Sequence, residues 1–290
     1  MKYFKMLFIT ILLNSSLFAL TPLNDEVPAI VPISWLEKNM NNKHLVIIDL
    51  RKYDEYKKGH IKGAFNMPAI KSLFDKKFMM PKLDLLQKLF SDAGIDSKSQ
   101  VVAYGDGSFI WSARLYWVLE ILGHETVGIL NVGYGNWKKD TIALSTKDSV
   151  IQKTNFIPRV DNTKIQTKLS TLMAINKKTI IDGRKVAHYE GKESLAKRFG
   201  HIPTAVNYAC TQNYQVSTEG NKMKDLKDLK VLYKNLPKDK EIILYCDGGA
   251  EAALNYIVLQ ELGYKASVYD GSWLEWGNDE SVPIENMQKK

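Results

Sequence analysis

The sequence predicts an α/β protein made of two similar domains, each a mostly parallel sheet with helices on both faces. Three observations lead to this prediction. The chain has 290 residues, enough for two domains with their own cores. Apolar, β-branched segments alternate with segments of helical spacing. The order of motifs in the first half recurs in the second half, which indicates duplication.

The first repeated unit is VIIDLRKYDEYKKGHIKGAFNMP, which corresponds to TIIDGRKVAHYEGKESLAKRFGHIPTAVN in the second half. Each copy predicts a strand, then an Asp and an Arg, a polar helix, and a Gly-His-Ile motif. We expect Asp49 and Asp182 to be structural acceptors at strand ends. We expect His60 and His201 to shape their loops through hydrogen bonds to the backbone.

The second repeated unit is VVAYGDGSFIWSARLYWVLEILGHETVGILNVGYGNW, which corresponds to IILYCDGGAEAALNYIVLQELGYKASVYDGSWLEW. Each copy predicts a strand, a loop, an amphipathic helix that ends at Leu-Gly, a short strand and a closing tryptophan, Trp137 or Trp276. The polar stretch 140–160 separates the two halves. We therefore place the domains at residues 22–150 and 151–290.

The first 21 residues predict a secretory signal peptide. Lys2 and Lys5 precede the apolar residues 6–13, and small and polar residues follow near Ala19. The apolar stretch is short for a membrane span. Leu17 stands where a small residue is expected before a cleavage site, so an uncleaved anchor stays open as the alternative. The prediction is a periplasmic or secreted protein.

Charge and motif content exclude several classes of function. The formal net charge of +8 comes mostly from scattered lysines, without the arginine clusters and interleaved aromatics of a nucleic-acid surface, so no nucleic-acid partner is expected. The sequence has no phosphate-binding G-x-x-x-x-G-K-[ST], no H-E-x-x-H and no C-x-x-C motif, and its histidines are not spaced as a metal cluster. We expect no organic cofactor and no metal.

The segment LYCDGGAE places Cys246 at a strand-to-helix turn. Free backbone amides and the helix dipole favour negative charge at such a turn, so a thiolate is expected to be stabilised there. In sheets of this kind, ligand sites lie at the carboxyl ends of the strands. The alternative is an inert core residue, because free cysteines are often buried.

Three motifs resemble the tandem rhodanese family, which contains the thiosulfate and 3-mercaptopyruvate sulfurtransferases. YDGSWLEWG at residues 269–277 resembles its C-terminal signature, and GHIKGAFNMP and GHIPTAVN resemble its N-terminal signature. The resemblance implies a sulfurtransferase in which Cys246 begins a six-residue loop of the second domain. Gly105 stands at the corresponding position of the first domain, which is therefore expected to be inactive.

In such an enzyme Cys246 attacks the outer sulfur of a donor, holds it as a persulfide and yields it to an acceptor. The rest of the loop is predicted to bind the substrate through its inward-facing amides, and two glycines allow the required backbone conformation. These loop residues are Asp247, Gly248, Gly249, Ala250 and Glu251.

Arg184, in IIDGR, matches the family's substrate-binding arginine of the second domain. Its guanidinium can grip a carboxylate or a thiosulfonate. An ion pair is the alternative, because Arg51 holds the equivalent position in the half that lacks the cysteine.

The carboxylates of Asp247 and Glu251 are unexpected beside a site for anions, because they raise the thiol pKa and repel thiosulfate. Three explanations stay open: both point to solvent, the protein prefers a neutral or cationic partner, or sulfur transfer has been lost. The expected partners are a small sulfur-donor anion, such as thiosulfate or 3-mercaptopyruvate, and a thiol or cyanide acceptor. A periplasmic protein partner is also left open.

Cys210 is the other of the two cysteines in the chain. An exported protein meets an oxidising compartment, in which cysteines can form disulfides. Three roles stay open for Cys210: an inert buried thiol, a disulfide or resolving partner for Cys246, or a second sulfur acceptor. A Cys210–Cys246 disulfide would block persulfide chemistry until it is reduced. The competing functions are accordingly a non-catalytic binding or sulfur-carrier module, and a thiol redox protein.

Overall fold

The computed structural model describes residues 27–133, 142–218 and 220–288, and folds them into two similar α/β halves. The first half contains a parallel sheet in the order β1-β6-β5-β2-β4 and a short antiparallel pair, β3 with β7. Its strands are β1 (Ile30–Val31), β2 (Leu45–Asp49), β3 (His60–Ile61), β4 (Phe65–Asn66), β5 (Gln100–Tyr104), β6 (Val127–Leu130) and β7 (Leu144–Ser145). Its described helices are α1 (Ile33–Asn39), α2 (Tyr53–Lys58), α3 (Ala69–Leu73), α4 (Leu83–Asp92) and α5 (Ile110–Ile121).

The second half contains a parallel sheet in the order β10-β9-β13-β14-β8 and a short antiparallel pair, β11 with β12. Its strands are β8 (Ile165–Gln166), β9 (Thr179–Asp182), β10 (Val206–Asn207), β11 (Tyr214–Gln215), β12 (Lys222–Met223), β13 (Ile242–Tyr245) and β14 (Ala266–Tyr269). Its helices are α6 (Lys168–Ala174), α7 (Val186–Tyr189), α8 (Leu226–Leu232), α9 (Ala250–Glu261) and α10 (Ser272–Trp276), with 3-10 turns at Asn162–Lys164 and Cys210–Asn213.

Both faces of each sheet are covered, because alternate residues of one strand enter different hydrophobic cores. In β13, Leu244 joins a core that contains residues of both halves, whereas Ile243 and Tyr245 join a second core confined to the second half. Two packed faces require apolar residues at every position, as in IILY of β13. The predicted fold class is confirmed.

Helices α5 and α9 differ from the predicted amphipathic pattern. Each ends before a glycine in the left-handed region, Gly123 or Gly263, as the Leu-Gly motif predicts. Nearly all their residues are buried, on every side of each helix. The helices pack against each other between the two sheets, and the hydroxyl of Tyr256 donates a 2.6 Å hydrogen bond to Glu120 across the contact. The expectation of a single apolar face is wrong, because the partner half covers the other face.

A side chain of each half also accepts a hydrogen bond from a loop amide of the other half. Asp270, at the end of β14, accepts hydrogen bonds of 2.7 Å from Arg114 of α5 and from the backbone amide of Met80. The opposite contact is similar, since Asn131 follows β6 and accepts 2.7 Å from the amide of Met223. The halves are thus related by approximate two-fold symmetry in their contacts as well as in their sequence.

The two histidines of the repeated motif have the predicted structural role. Nδ1 of His60 lies 2.8 Å from the carbonyl of Tyr56, and Nδ1 of His201 lies 2.8 Å from the carbonyl of Tyr189. Each imidazole also stacks on the ring of that tyrosine. These contacts fix the chain before it enters β4 and β10.

The connection between the halves, residues 148–161, has no helix or strand. The domain limits of 22–150 and 151–290 stay predictions. The predicted signal peptide, residues 1–21, and Trp137 lie outside the described residues. Within the described ranges, no helix has the length and apolar character needed to span a bilayer.

We predict that Asp270→Asn lowers the free energy of unfolding by about 3 kcal/mol, since it leaves the buried Arg114 guanidinium without its counter-charge. Urea denaturation measures this change. The control is Glu55→Gln, which removes an exposed ion pair with Lys58 and should cost under about 1 kcal/mol. Equal losses in the two variants would contradict the structural importance of Asp270.

Candidate active site

Cys246 lies at the carboxyl end of β13, in the loop that leads into α9. The amide of Gly249 donates a hydrogen bond to its Sγ at 3.0 Å, and the backbone amides of Gly248 and Ala252 lower the pKa of the thiol. Gly249 has φ +82°, and a Cβ there would lie 2.6 Å from Nη1 of Arg114. A glycine is therefore required for the loop to turn its amides onto the sulfur.

The thiol of Cys246 is only 1% exposed, and its pKa is raised to about 12. Burial is the main cause, the charges of Glu251 and Asp247 add to it, and the amides oppose it. The expectation of a stabilised thiolate is wrong for the resting protein, because desolvation outweighs three amide dipoles. The amides are nevertheless placed to stabilise negative charge on this sulfur once it forms.

The side chain of Asp247 points into the protein. Its Oδ2 lies 3.2 Å from Nδ1 of His188, and its Oδ1 lies 3.8 Å from Nη1 of Arg184. Burial raises the pKa of Asp247, whereas Arg184 and His188 lower it. His188 was not among the site residues predicted from the sequence. The signal was available, because Glu55 occupies the equivalent position of the first half, so the repeats differ there by an exchange of acid for base.

Glu251 also faces inward, from the first turn of α9. Burial, together with the charges of Asp247 and Asp182, raises its pKa to about 7, whereas Arg184 and Lys185 oppose the shift. Its charge also raises the pKa of the Cys210 thiol. The explanation in which Asp247 and Glu251 both point to solvent is therefore wrong, because both are only partly exposed and Asp247 contacts Arg184 and His188.

Arg184 is completely buried, with its guanidinium fork already occupied. Nε and Nη2 donate to the carboxylate of Asp182, Nη2 also donates to the carbonyl of Gly200, and the guanidinium lies 4.5 Å from the ring centre of Trp273. Arg51 binds Asp49 in the same way. The arrangement agrees with the ion-pair alternative. Contact with a donor stays a prediction and can involve only Nη1, the atom that faces Asp247.

Cys210 lies 2% exposed at the start of the 3-10 turn after β10. Both cysteines are free thiols, so this structure contains no Cys210–Cys246 disulfide. Burial and the charge of Glu251 raise the pKa of Cys210, which keeps it protonated.

The first half supplies the cover over the Cys246 loop. A Cβ at Gly248 would lie 3.6 Å from Cβ of Phe78, in the 74–80 loop. Phe78 has φ +58°, and Asp75 holds it there by accepting the amides of Lys77 and Met79. Leu274 of α10 lies at the same distance from that position. Because Cys246 is 1% exposed, a substrate can reach the sulfur only when part of these surroundings, such as the 74–80 loop, moves.

Two parallel α/β halves with a cysteine loop at the carboxyl edge of one sheet define a tandem-domain protein of the rhodanese type. The model of the rhodanese-like domain family matches residues 33–140 and 166–279. The chain belongs to this family, and the predicted resemblance is confirmed.

Relatives of similar length carry sulfurtransferase names. A putative thiosulfate sulfurtransferase of Synechococcus elongatus is 30% identical over 87% of this chain and 83% of its own length. The thiosulfate sulfurtransferase of Pseudomonas aeruginosa is 26% identical over 90% of this chain and 98% of its own. The predicted enzyme class, a sulfurtransferase, is confirmed.

Solved structures agree with this fold. SseA, a 3-mercaptopyruvate sulfurtransferase of Escherichia coli, superposes with a TM-score of 0.74 at 26% identity, over 84% of this chain and 98% of its own. The anaerobic ergothioneine biosynthesis enzyme of Chlorobium limicola gives a TM-score of 0.77 at 22% identity, over 89% of this chain and 70% of its own. At that identity the second likeness concerns the fold alone.

We predict that Glu251→Gln lowers the pKa of the Cys246 thiol, because it removes the nearest charge that opposes the thiolate. At pH 8 the Glu251 carboxyl is mostly ionised, so alkylation of Cys246 by iodoacetamide should be faster by roughly tenfold, which corresponds to one pKa unit. At pH 5 the carboxyl is protonated in the parent protein, and the difference should vanish.

The measurement is the alkylation rate of Cys246 across this pH range, read by mass spectrometry. Glu193→Gln is the control, since Glu193 is exposed and contacts His188 rather than the loop. A pH profile of Glu251→Gln that matches the parent profile would rule out this electrostatic coupling.

Proposed function

We propose that this sulfurtransferase carries a sulfane sulfur on Cys246, as a persulfide, between a small donor anion and a thiol or cyanide acceptor. The single observation that supports the proposal most strongly is the hydrogen bond from the Gly249 amide to the Cys246 sulfur, in a loop whose Gly248 and Ala252 amides also favour the thiolate. Such amides stabilise both the attacking thiolate and the departing one without a basic side chain.

The reaction proceeds in two half-reactions. Cys246 loses its proton, and the thiolate attacks the outer sulfur of the donor. The bond between that sulfur and the donor breaks, and its electron pair leaves with the donor remnant, which is sulfite from thiosulfate or pyruvate enolate from 3-mercaptopyruvate. The acceptor then attacks the outer sulfur, the persulfide S–S bond breaks, and Cys246 departs as a thiolate.

Glu251 is suited to take the proton that Cys246 loses. Its pKa of about 7 lets it exchange a proton near neutral pH. Accepting that proton also neutralises a charge that disfavours the thiolate, so deprotonation of Cys246 and neutralisation of Glu251 support each other.

The acidic neighbours favour a donor with low charge. Asp247 and Glu251 lie close to the sulfur, and Coulomb repulsion of a doubly charged thiosulfate is about twice that of the singly charged 3-mercaptopyruvate. Arg184 offsets part of this repulsion, but Asp182 already binds it. We therefore propose 3-mercaptopyruvate, or another donor with a single negative charge, in preference to thiosulfate.

The first half acts as an inactive partner domain in this proposal. Gly105 stands where Cys246 stands in the second half, so it cannot form a persulfide. Its contribution is structural, through the 74–80 loop that covers the site. We also propose that the protein is exported and works in the periplasm, on the basis of the N-terminal sequence pattern.

We predict that incubation with 3-mercaptopyruvate adds one sulfur atom to the Cys246 peptide, and that thiosulfate adds less. Mass spectrometry of the intact and digested protein measures the adduct. Cys246→Ser is the control and should acquire no sulfur while keeping its circular-dichroism spectrum. Failure of both donors to modify the parent protein would reject the persulfide mechanism and favour a non-catalytic role.

A further inference from the structure

A second buried thiol shares a carboxylate with the proposed catalytic loop. The 3-10 turn that begins at Cys210 packs against α9, the helix that carries Glu251. Glu251 lies on the first turn of α9, five residues after Cys246, and its charge acts on both thiols. Both cysteines belong to the same hydrophobic core. The persulfide mechanism described above uses Cys246 and Glu251 but leaves Cys210 without a role.

The backbone holds the two cysteines near each other. The amide of Cys210 donates 2.9 Å to the carbonyl of Gly183, and the amide of Gly183 donates 2.8 Å to the carbonyl of Tyr245, which precedes Cys246. A Cβ at Gly183 would lie 3.4 Å from that carbonyl and 3.7 Å from Cα of Ala252. Gly183 therefore joins the two cysteine-bearing segments through its backbone, at a position with little room for a side chain.

The first half provides a comparison within the same molecule. The same two backbone hydrogen bonds join Ala69 to Leu50 and Leu50 to Tyr104. The residues around the two thiols differ between the halves. Gly183, Cys210, Cys246 and Glu251 of the second half correspond to Leu50, Ala69, Gly105 and Ile110 of the first half. The half without the nucleophile thus also lacks the second thiol and the carboxylate, and it has a leucine in place of Gly183.

From this arrangement we propose that Cys210 is a second sulfur carrier, which takes the outer sulfur from the Cys246 persulfide while Glu251 transfers the proton. The inference rests on the proposed function, since it requires a persulfide on Cys246. It predicts that one chain can hold two sulfane sulfurs, one on each cysteine.

The transfer balances without an added oxidant or reductant. Cys210 gives its proton to Glu251, and its thiolate attacks the outer sulfur of Cys246–S–SH. A bond forms between that sulfur and Sγ of Cys210, and the S–S bond at Cys246 breaks. Cys246 leaves as a thiolate and recovers the proton from Glu251. The Gly249 amide binds the inner sulfur, and attack on the outer sulfur releases Cys246 as the thiolate that the loop amides favour.

The test is to load the protein with excess 3-mercaptopyruvate, remove the donor, and follow the sulfur adduct on each cysteine by peptide mass spectrometry over time. The adduct should form on Cys246 first and then on Cys210, and cyanolysis should release two sulfane sulfurs per chain. Cys210→Ser and Cys210→Ala should keep the Cys246 adduct and release one. Glu251→Gln should slow the Cys210 adduct by roughly tenfold or more relative to the Cys246 adduct, as expected for loss of a proton-transfer group.

Ala69→Cys is the matched control. It places a thiol at the equivalent position of the first half, where Ile110 replaces Glu251 and Gly105 replaces Cys246. That thiol should acquire no sulfur, and Cys246→Ser should acquire none on Cys210, its remaining cysteine.

The outcomes separate the two proposals. An adduct that stays on Cys246 alone overturns the relay and leaves the persulfide enzyme intact, whereas no adduct on either cysteine overturns the proposed function. A Cys210–Cys246 disulfide with release of sulfide overturns the relay, because it shows attack on the inner sulfur. An adduct on Cys210 in Cys246→Ser also overturns it, because the sulfur then comes directly from the donor.

Discussion

The arrangement of the site depends on one buried contact between the halves, the carboxylate of Asp270 with Arg114 and the amide of Met80. Asp270 lies at the end of β14, beside the loop that carries Cys246. Its two oxygens bind the helix and the covering loop of the other half. Because the charge of Arg114 is buried, these partners cannot separate cheaply, and the 74–80 loop is held against Gly248. The half without the cysteine therefore packs against the loop that carries it, which gives a physical reason for keeping a duplicate that lacks this nucleophile.

The two halves share the framework that supports the loop and differ in the side chains that the loop carries. Both contain an Asp–Arg pair at the end of a central strand, and in both a tyrosine hydroxyl donates 2.6 Å to that aspartate. This shared framework positions the loop in each half. The chemistry depends on side chains added to it. In the second half a buried thiol is kept protonated by desolvation and by two carboxylates, and one of these carboxylates has a pKa at which it can accept the proton.

Much of the fold was predictable, because it depends on patterns that are local in sequence. Strand β13 and helix α9 follow from IILY and from helical spacing, and the position of Cys246 follows from their order. The repeat itself predicted two domains. The side-chain directions in the site were not predictable in this way. Whether Asp247 and Glu251 face solvent depends on the other half and on β10, which come from distant parts of the chain. The burial of α9 on all sides has the same cause. Arg184 was assigned by resemblance to substrate binding, and only the structure shows that Asp182 occupies its fork.

The central claim is that the first half encloses Cys246, and the most direct measurement is its alkylation rate in Phe78→Ala under native conditions. If Phe78 is the cover, removing its ring should speed the reaction by roughly tenfold, the factor for about 1.4 kcal/mol of lost apolar contact. Phe199→Ala is the control, since Phe199 is equally exposed, 44% against 45% for Phe78, and lies in the other half. Equal rates in Phe78→Ala, Phe199→Ala and the parent protein would contradict the account, because the sulfur would then be reached by a route that does not involve the first half.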